Sequence, residues 1–235
     1  MRLNKFLASA GIASRRKCDQ LIEQGLVSVN GKVVTELGST INEKKDKVFY
    51  EGRQIILPSS FVYIKLNKPK GYACTAHDEK GRKTIYDLIK SEERLFSIGR
   101  LDYDTEGLII LTNDGDFANK VAHPKYAIEK EYHVTIVGQI KESELAVLRK
   151  GVVIDGERMP SAKVEFLSTD GTVTKLSVVI DEGMNRQVRR MFEAIGKEIK
   201  LLKRVRIGQV RLGGVKRGDY RDLTTDELNA LVRPE

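Results

Sequence analysis

Apolar positions near the start of the chain recur at helical spacing: Leu3, Phe6, Leu7 and Ala10, with Gly11 placed to close that helix. Ser14 suits the N-cap of a second helix over 15–24, and Gly25 suits its far end. From Val27 to Val34 the pattern switches to alternation around Asn30-Gly31, a strong short hairpin signal. Two helices and a hairpin make a small αβ module at residues 1–57. The stretch Leu57-Pro58-Ser59-Ser60 interrupts the pattern, so 58–60 is read as a linker and 61–235 as a second domain.

In that second domain Phe61–Asn67 reads as a buried strand, ended by Lys68-Pro69-Lys70-Gly71. A short helix is predicted near 84–90, an apolar strand at 108–112, a turn at Asn113-Asp114-Gly115 and a helix over 116–122. Strand 132–137, helix 141–150, strand 175–180 and a helix over 185–195 stopped by Gly196 follow. A strand at 198–207 and a helix over 225–232, capped by Thr224 or Thr225, complete the pattern. Strands interleaved irregularly with short helices predict an α+β fold with a mixed, largely antiparallel sheet flanked by helices.

Composition adds partners and excludes classes. The chain has 235 residues and is 40% apolar, enough for a core. Lys and Arg number 41 against 33 Asp and Glu, giving a net charge of +8. Such a balance fits either a polyanionic partner such as nucleic acid or a positive surface. Residues 1–57 carry ten Lys and Arg against six Asp and Glu. Cys18 and Cys74 lack C-x-x-C spacing, and His77, His123 and His133 lack a metal-ligand pattern, so neither a disulfide framework nor a zinc site is expected. The first eight residues lack a signal-peptide core, and no run reaches the ~18 apolar residues of a spanning helix. A reduced cytoplasmic location is the resulting expectation.

Three local patterns could carry chemistry. Between Arg100 and Gly107 stand Asp102, Asp104 and Glu106, ahead of the strand Leu108–Thr112. Clustered carboxylates repel one another and need partners when buried. The spacing imitates the opening of a calcium loop, but the twelfth position is Asn113, where a bidentate Glu is required. Sugar hydrolysis by paired carboxylates has no Trp platform here. On the helix over 185–195, Val188, Met191, Phe192 and Ile195 form an apolar stripe, while Arg186, Arg189 and Arg190 share another face. That face is either solvated or neutralised by anions. The third pattern, Lys130-Glu131-Tyr132, opens a strand, where Tyr also fits packing alone.

Residues 1–57 resemble the S4 RNA-binding domain through Arg2–Leu7, Ala13–Lys17, Leu21-Ile22 and Gly25–Lys32. The resemblance implies RNA contacts from Arg15, Arg16 and Lys17, with Lys32 on the hairpin. Cations at a helix N-terminus oppose the macrodipole, so an anion there is doubly welcome.

The whole chain resembles pseudouridine synthases, in particular the RsuA/RluB branch that modifies ribosomal RNA. The motifs are Gly99-Arg100-Leu101-Asp102-x-x-Thr105-x-Gly107-Leu108, Thr112–Gly115, Lys130-Glu131-Tyr132 and Glu182–Met191. The resemblance implies Asp102 as catalytic aspartate, Tyr132 as the ring that stacks on the target base and Arg189 as the partner of the aspartate. It implies Arg100 and Leu202 as pocket residues, and Lys130, Arg186 and Arg190 as contacts to RNA phosphates or sources of pocket charge. Asp104 and Glu106 fall off the invariant positions and are expected to be secondary.

The implied reaction breaks N1–C1′ of a uridine, turns the base and joins C5 to C1′. Nothing is oxidised and no group is added, so neither cofactor nor metal is expected. The implied partner is ribosomal RNA or a pre-ribosomal particle, with no membrane, and a monomer is the default state. Ala122–Tyr126 leans toward large-subunit (23S) rather than small-subunit (16S) targets. Two rivals from other classes are a non-catalytic S4-type ribosome-assembly protein and a metal-dependent nuclease.

Overall fold

Helix α1 (Leu3–Ser9) buries Leu3, Phe6 and Leu7, and α2 (Arg15–Glu23) buries Cys18, Leu21 and Ile22. Ser14 caps α2 by accepting from the Lys17 amide at 3.3 Å. Strands β1 (Val27–Val29) and β2 (Lys32–Val33) pair antiparallel, with Val29 opposite Lys32. Asn30 and Gly31 both take positive φ at the turn, as a two-residue primed hairpin requires. Strands β3 (Val48–Tyr50) and β4 (Arg53–Gln54) extend this sheet to the order β2-β1-β3-β4.

These elements belong to the first of two compact units in the computed structural model, which describes residues 1–76, 78–154 and 156–232. His77 and the last three residues of the expected 61–235 domain lie outside the described residues. The first unit gathers Met1–Val62 with two short segments, Ser91–Leu95 and Thr112–Gly115. Asn113 explains the second of these: its Oδ1 accepts from the Val62 amide at 2.8 Å and its Nδ2 donates to the Ser60 carbonyl.

The second unit is built on a large sheet. It takes β5 (Tyr63–Lys68), β6 (Phe96–Ile98), β7 (Glu106–Thr112) and β8 (Lys130–Val137). A separate small hairpin joins β9 (Val153–Ile154) to β10 (Glu157–Arg158). The sheet is completed by β11 (Lys163–Thr169), β12 (Val173–Ile180), β13 (Ile199–Ile207), β14 (Val210–Arg211) and β15 (Tyr220–Asp222). The order is β11-β12-β8-β13-β7-β5-β15, with β14 on β13 and β6 on β7. β13 pairs antiparallel with β8 and parallel with β7, so the sheet is mixed, as the irregular alternation predicts.

Helices α3 (Gly115–Ala122), α4 (Glu142–Lys150), α5 (Gln187–Glu193) and α6 (Thr225–Val232) flank it. Leu108, Ile110, Phe117, Val121, Ile207 and Leu231 share one core of the unit.

The structure corrects several expected boundaries. The helix expected near 84–90 is a 3-10 turn, Ile85–Leu88, tied by the Asp87 carboxylate to the Thr84 amide at 2.6 Å. α5 starts at Gln187 rather than 185, because Arg186 sits in the left-handed region at φ 50° and cannot join the helix. β11 gave no apolar alternation because it is an edge strand with only Val164 buried.

Candidate active site

The loop between β6 and β7 presents the acidic motif. The Thr105 amide donates to the Asp102 carbonyl at 3.1 Å, so Asp102 opens a tight turn with Tyr103 and Asp104 at its tip. Lys68, at the end of β5, fixes this turn from below. Its side chain is fully buried, and Nζ donates to the carbonyls of Thr105 (2.7 Å), Asp102 (3.0 Å) and Pro69 (3.1 Å). Burial pushes the Lys68 ammonium below its usual range, while Cys74, Asp104, Asp102 and Glu106 pull it back up. On the other side the Leu101 amide donates to Cys74 Sγ at 3.4 Å. Burial raises the Cys74 thiol, although that amide and nearby Lys68, Arg204 and Arg100 oppose the rise. The backbone on both flanks of Asp102 is therefore held, a precondition for aiming its carboxylate.

α5 and the residue that precedes it supply the cations. Val188, Met191 and Phe192 anchor the helix in the core, which turns Arg189 into a buried position beside the loop. Arg189 NH2 meets Asp104 Oδ2 at 2.9 Å, while its Nε stands 3.9 Å from Asp102 Oδ2. NH2 also donates to the Asp104 carbonyl and to Thr105 Oγ1, each at 3.3 Å. Arg186 NH1 reaches Asp102 Oδ2 at 3.7 Å and Asp104 Oδ1 at 3.9 Å. Asp104, expected to be secondary, thus holds the closest contact to Arg189. Glu106 turns elsewhere, 3.4 Å from Arg217 NH2.

β8 and β13 form the floor. Tyr132 stands opposite Arg204 in the register, and Leu202 opposite Val134, so Tyr132, Leu202 and Arg204 share one sheet face. Gly107 lets β7 close against this strand. A Cβ there would lie 2.1 Å from the Arg204 carbonyl oxygen, and its φ of 108° already excludes ordinary side chains. The strand that follows the Asp102 turn is thereby set directly beside the strand bearing Leu202 and Arg204.

These parts enclose a cavity of about 690 Å³. Asp102, Tyr132, Arg189, Arg100, Leu202, Lys130 and Arg186 all line it, although they come from separate parts of the sequence. Lys130 Nζ donates to the Asp181 carbonyl at 2.7 Å, and burial and the charge of Arg204 lower its pKa. Arg190 does not line the cavity, which separates it from its two neighbours in the arginine motif. Arg15, Arg16, Lys17 and Lys32 lie in the first unit and are exposed, the first three in the opening turn of α2 and Lys32 on β2. Among the described residues no three His, Cys, Asp or Glu side chains form a group able to hold a metal ion. None is long and apolar enough as a helix to cross a membrane.

Sequence reasoning passed over Lys68, Gln187 and Arg204. Nothing local marks Lys68 as buried, since it ends a strand that also carries Lys65 and Asn67. For Arg204 the available signal was the spacing of two residues from Leu202.

An RNA pseudouridylate synthase family model matches residues 62–194, and an S4 domain model matches residues 1–47. The chain is 45% identical to the ribosomal large subunit pseudouridine synthase B of Bacillus subtilis, over 98% of this chain and 95% of that one. An uncharacterized RNA pseudouridine synthase of Aquifex aeolicus is 40% identical over 99% of this chain and 94% of its own. A crystal structure of a pseudouridylate synthase superposes with a TM-score of 0.71 at 34% identity, covering 99% of this chain and 100% of that one.

Proposed function

The chain belongs to the RNA pseudouridine synthase family, and on that premise we propose that it isomerises a specific uridine of large-subunit (23S) ribosomal RNA at the cavity around Asp102. The relative from Bacillus subtilis, a ribosomal large subunit enzyme matched over nearly its whole length, supports the choice of RNA. The observation that carries the reading is a carboxylate lining a 690 Å³ cavity, held on its backbone by Lys68 and faced by two guanidiniums at 3.7 and 3.9 Å.

The reaction asks for a carboxylate next to C1′ and C6 of the uridine, able to add to the base, attack the sugar or assist a glycal. Arg189 and Arg186 set two positive charges against the Asp102 carboxylate, at 3.9 and 3.7 Å. Distances near 4 Å leave its oxygens open to substrate rather than locked in a bidentate pair. Reaching that carboxylate requires the uridine to leave its stack, at a cost of a few kcal/mol. Tyr132 offsets part of it, since stacking of a base on an aromatic ring is worth roughly 1–3 kcal/mol. Arg100, Lys130 and Arg186 bind the flanking phosphates. The module at residues 1–57 supplies Arg15, Arg16, Lys17 and Lys32 to RNA backbone, joined through 58–60 to the catalytic domain at 61–235. Arg190 is assigned to RNA outside the cavity.

The bonds account for the whole change: N1–C1′ breaks, C5–C1′ forms, C5 loses a proton to solvent and N1 gains one. No cofactor is required. Tritium at uracil C5 is therefore released on turnover. Wild-type protein is expected to release it from labelled large-subunit RNA, and Asp102→Asn to release none while still binding that RNA. Arg189→Ala is expected to lose activity by leaving both carboxylates without their buried cation. Release by Asp102→Asn at the wild-type rate would refute the assignment, and activity lost in chelator would favour the nuclease rival.

A further inference from the structure

Buried polar atoms without a partner point to what a cavity is built to receive. Among the described residues five such side-chain atoms occur. Two are acceptors: Oδ1 of Asn4, in the first unit, and Oδ1 of Asn67, which does not line the cavity. The three donors, Gln187 Nε2, Arg189 Nε and Arg204 NH2, all belong to side chains that line it. Arg189 Nε faces the Asp102 carboxylate at 3.9 Å, so its charge is answered. Gln187 and Arg204 remain, and both are nearly fully buried. The Gln187 amide is oriented, because its Oε1 accepts from the Met184 amide at 3.1 Å, which leaves the buried Nε2 as its donor without a partner. Arg204 is oriented as well, its Nε–H donating to the Leu108 carbonyl at 2.8 Å and its free NH2 left over. Arg204 stands opposite Tyr132 and two residues from Leu202 on the same sheet face, and Gln187 lines the same cavity.

We propose that Arg204 reads the identity of the target base, its free NH2 donating to a carbonyl oxygen of the flipped uracil, with Gln187 Nε2 as a second donor for the same ring. The proposal rests on the reading of this cavity as the uridine site. Uracil presents acceptor, donor, acceptor along O2, N3–H and O4, whereas cytosine puts an amine where O4 stands. A guanidinium that pairs with O4 therefore meets a second donor in cytosine and is left unpaired, which is how a polar site rejects a near-isostere. The geometry of the reaction adds a second use. Turning the base about the axis through N3 and C6 exchanges O2 with O4, so a fixed donor finds a carbonyl in the same place before and after the turn. Arg204 keeps hold of the ring while neither bond to C1′ is intact.

The test uses full-length protein and a large-subunit RNA fragment that the wild type converts, with uridine, 2-thiouridine or 4-thiouridine at the target. Sulfur is a weaker acceptor than oxygen and leaves the protein untouched. Single-turnover conversion is read by nucleoside chromatography. For wild type, at least one thio substrate is expected to react about 10–100-fold more slowly than the oxo substrate. For Arg204→Gln the oxo substrate is expected to slow by a comparable factor and the oxo-to-thio ratio to collapse toward one. Arg204→Lys gives the same comparison if the Gln variant fails to fold. Equal rates for all three substrates in wild type, or an unchanged ratio in a folded variant, would overturn the proposal. A wild-type protein that converts no uridine in any ribosomal RNA would instead overturn the functional reading beneath it.

Discussion

Lys65 and Lys68 lie three residues apart on β5, both almost fully buried, and they do different work. Lys65 Nζ donates to Glu227 Oε1 and to the Arg211 carbonyl, each at 2.8 Å. Glu227 is completed by Arg221, at 2.7 and 2.9 Å, and by the Thr224 amide at 3.0 Å. That cluster closes on itself and pins the start of α6 to the sheet. Lys68 spends its donors on backbone carbonyls and leaves the carboxylate above it free. Around that carboxylate the ion pairs are long, and donors on Gln187 and Arg204 go unanswered. A closed buried ion cluster is a scaffold. An open one, held by its backbone, leaves its carboxylate within reach of a ligand.

The sharpest way to break this contrast is at the open end. Asp102→Asn keeps the side chain's size and removes its charge, and turnover is expected to fall by at least about 10³-fold with an unchanged melting temperature. Next in size is Lys68→Met, which strands the Thr105 carbonyl and leaves the Asp102 carbonyl to the Thr105 amide alone. Turnover is expected to fall about 10–100-fold and the melting temperature by several degrees. Tritium release and thermal unfolding monitored by circular dichroism measure both.

At the closed end the pattern reverses. Glu227→Gln is expected to cost about 1–3 kcal/mol of stability in urea titrations while leaving kcat/KM within about twofold. The same group sets a pH dependence. Burial alone would raise the Glu227 carboxyl, but Arg221, Lys65 and the Thr224 amide outweigh it and hold it at about 2. A carboxyl depressed in the folded state contributes stability above its unfolded pKa, near 4.5, and loses it as pH falls toward 2. Wild type is expected to lose stability steeply across that window, and Glu227→Gln to lose less. The smallest effect is at Asp104→Asn. It loosens Arg189 without touching Asp102, and turnover is expected to fall about threefold to tenfold. A fall as large as that of Asp102→Asn would mean that the two carboxylates act as one unit.

What was legible follows from how each part is stabilised. The stripe Val188, Met191 and Phe192 fixed α5 because a buried helix face must be apolar at that spacing. The strand β8 followed from its alternation, and it pairs antiparallel with β12. Asp102, Tyr132 and Arg189 were reached through family resemblance rather than through periodicity, and the fold brings all three to one cavity. β11 and β15 were invisible because edge strands are mostly exposed and carry little apolar pattern. Lys68 was read as part of a turn, since nothing local says that an ammonium is swallowed by three carbonyls from its own turn and a distant loop. Asp104 and Asp102 look alike in sequence. Only the position of Arg189 in space shows which oxygen it meets.

The central claim is that the carboxylate of Asp102 converts a uridine of large-subunit ribosomal RNA. It is tested most directly by mapping pseudouridines in ribosomal RNA from cells that lack this protein, with wild-type or Asp102→Asn copies returned. A large-subunit position is expected to lose its pseudouridine, to regain it with the wild-type copy and to stay unmodified with the Asn variant. An unchanged pseudouridine map in the deletion strain, or full restoration by the Asn variant, would contradict the claim.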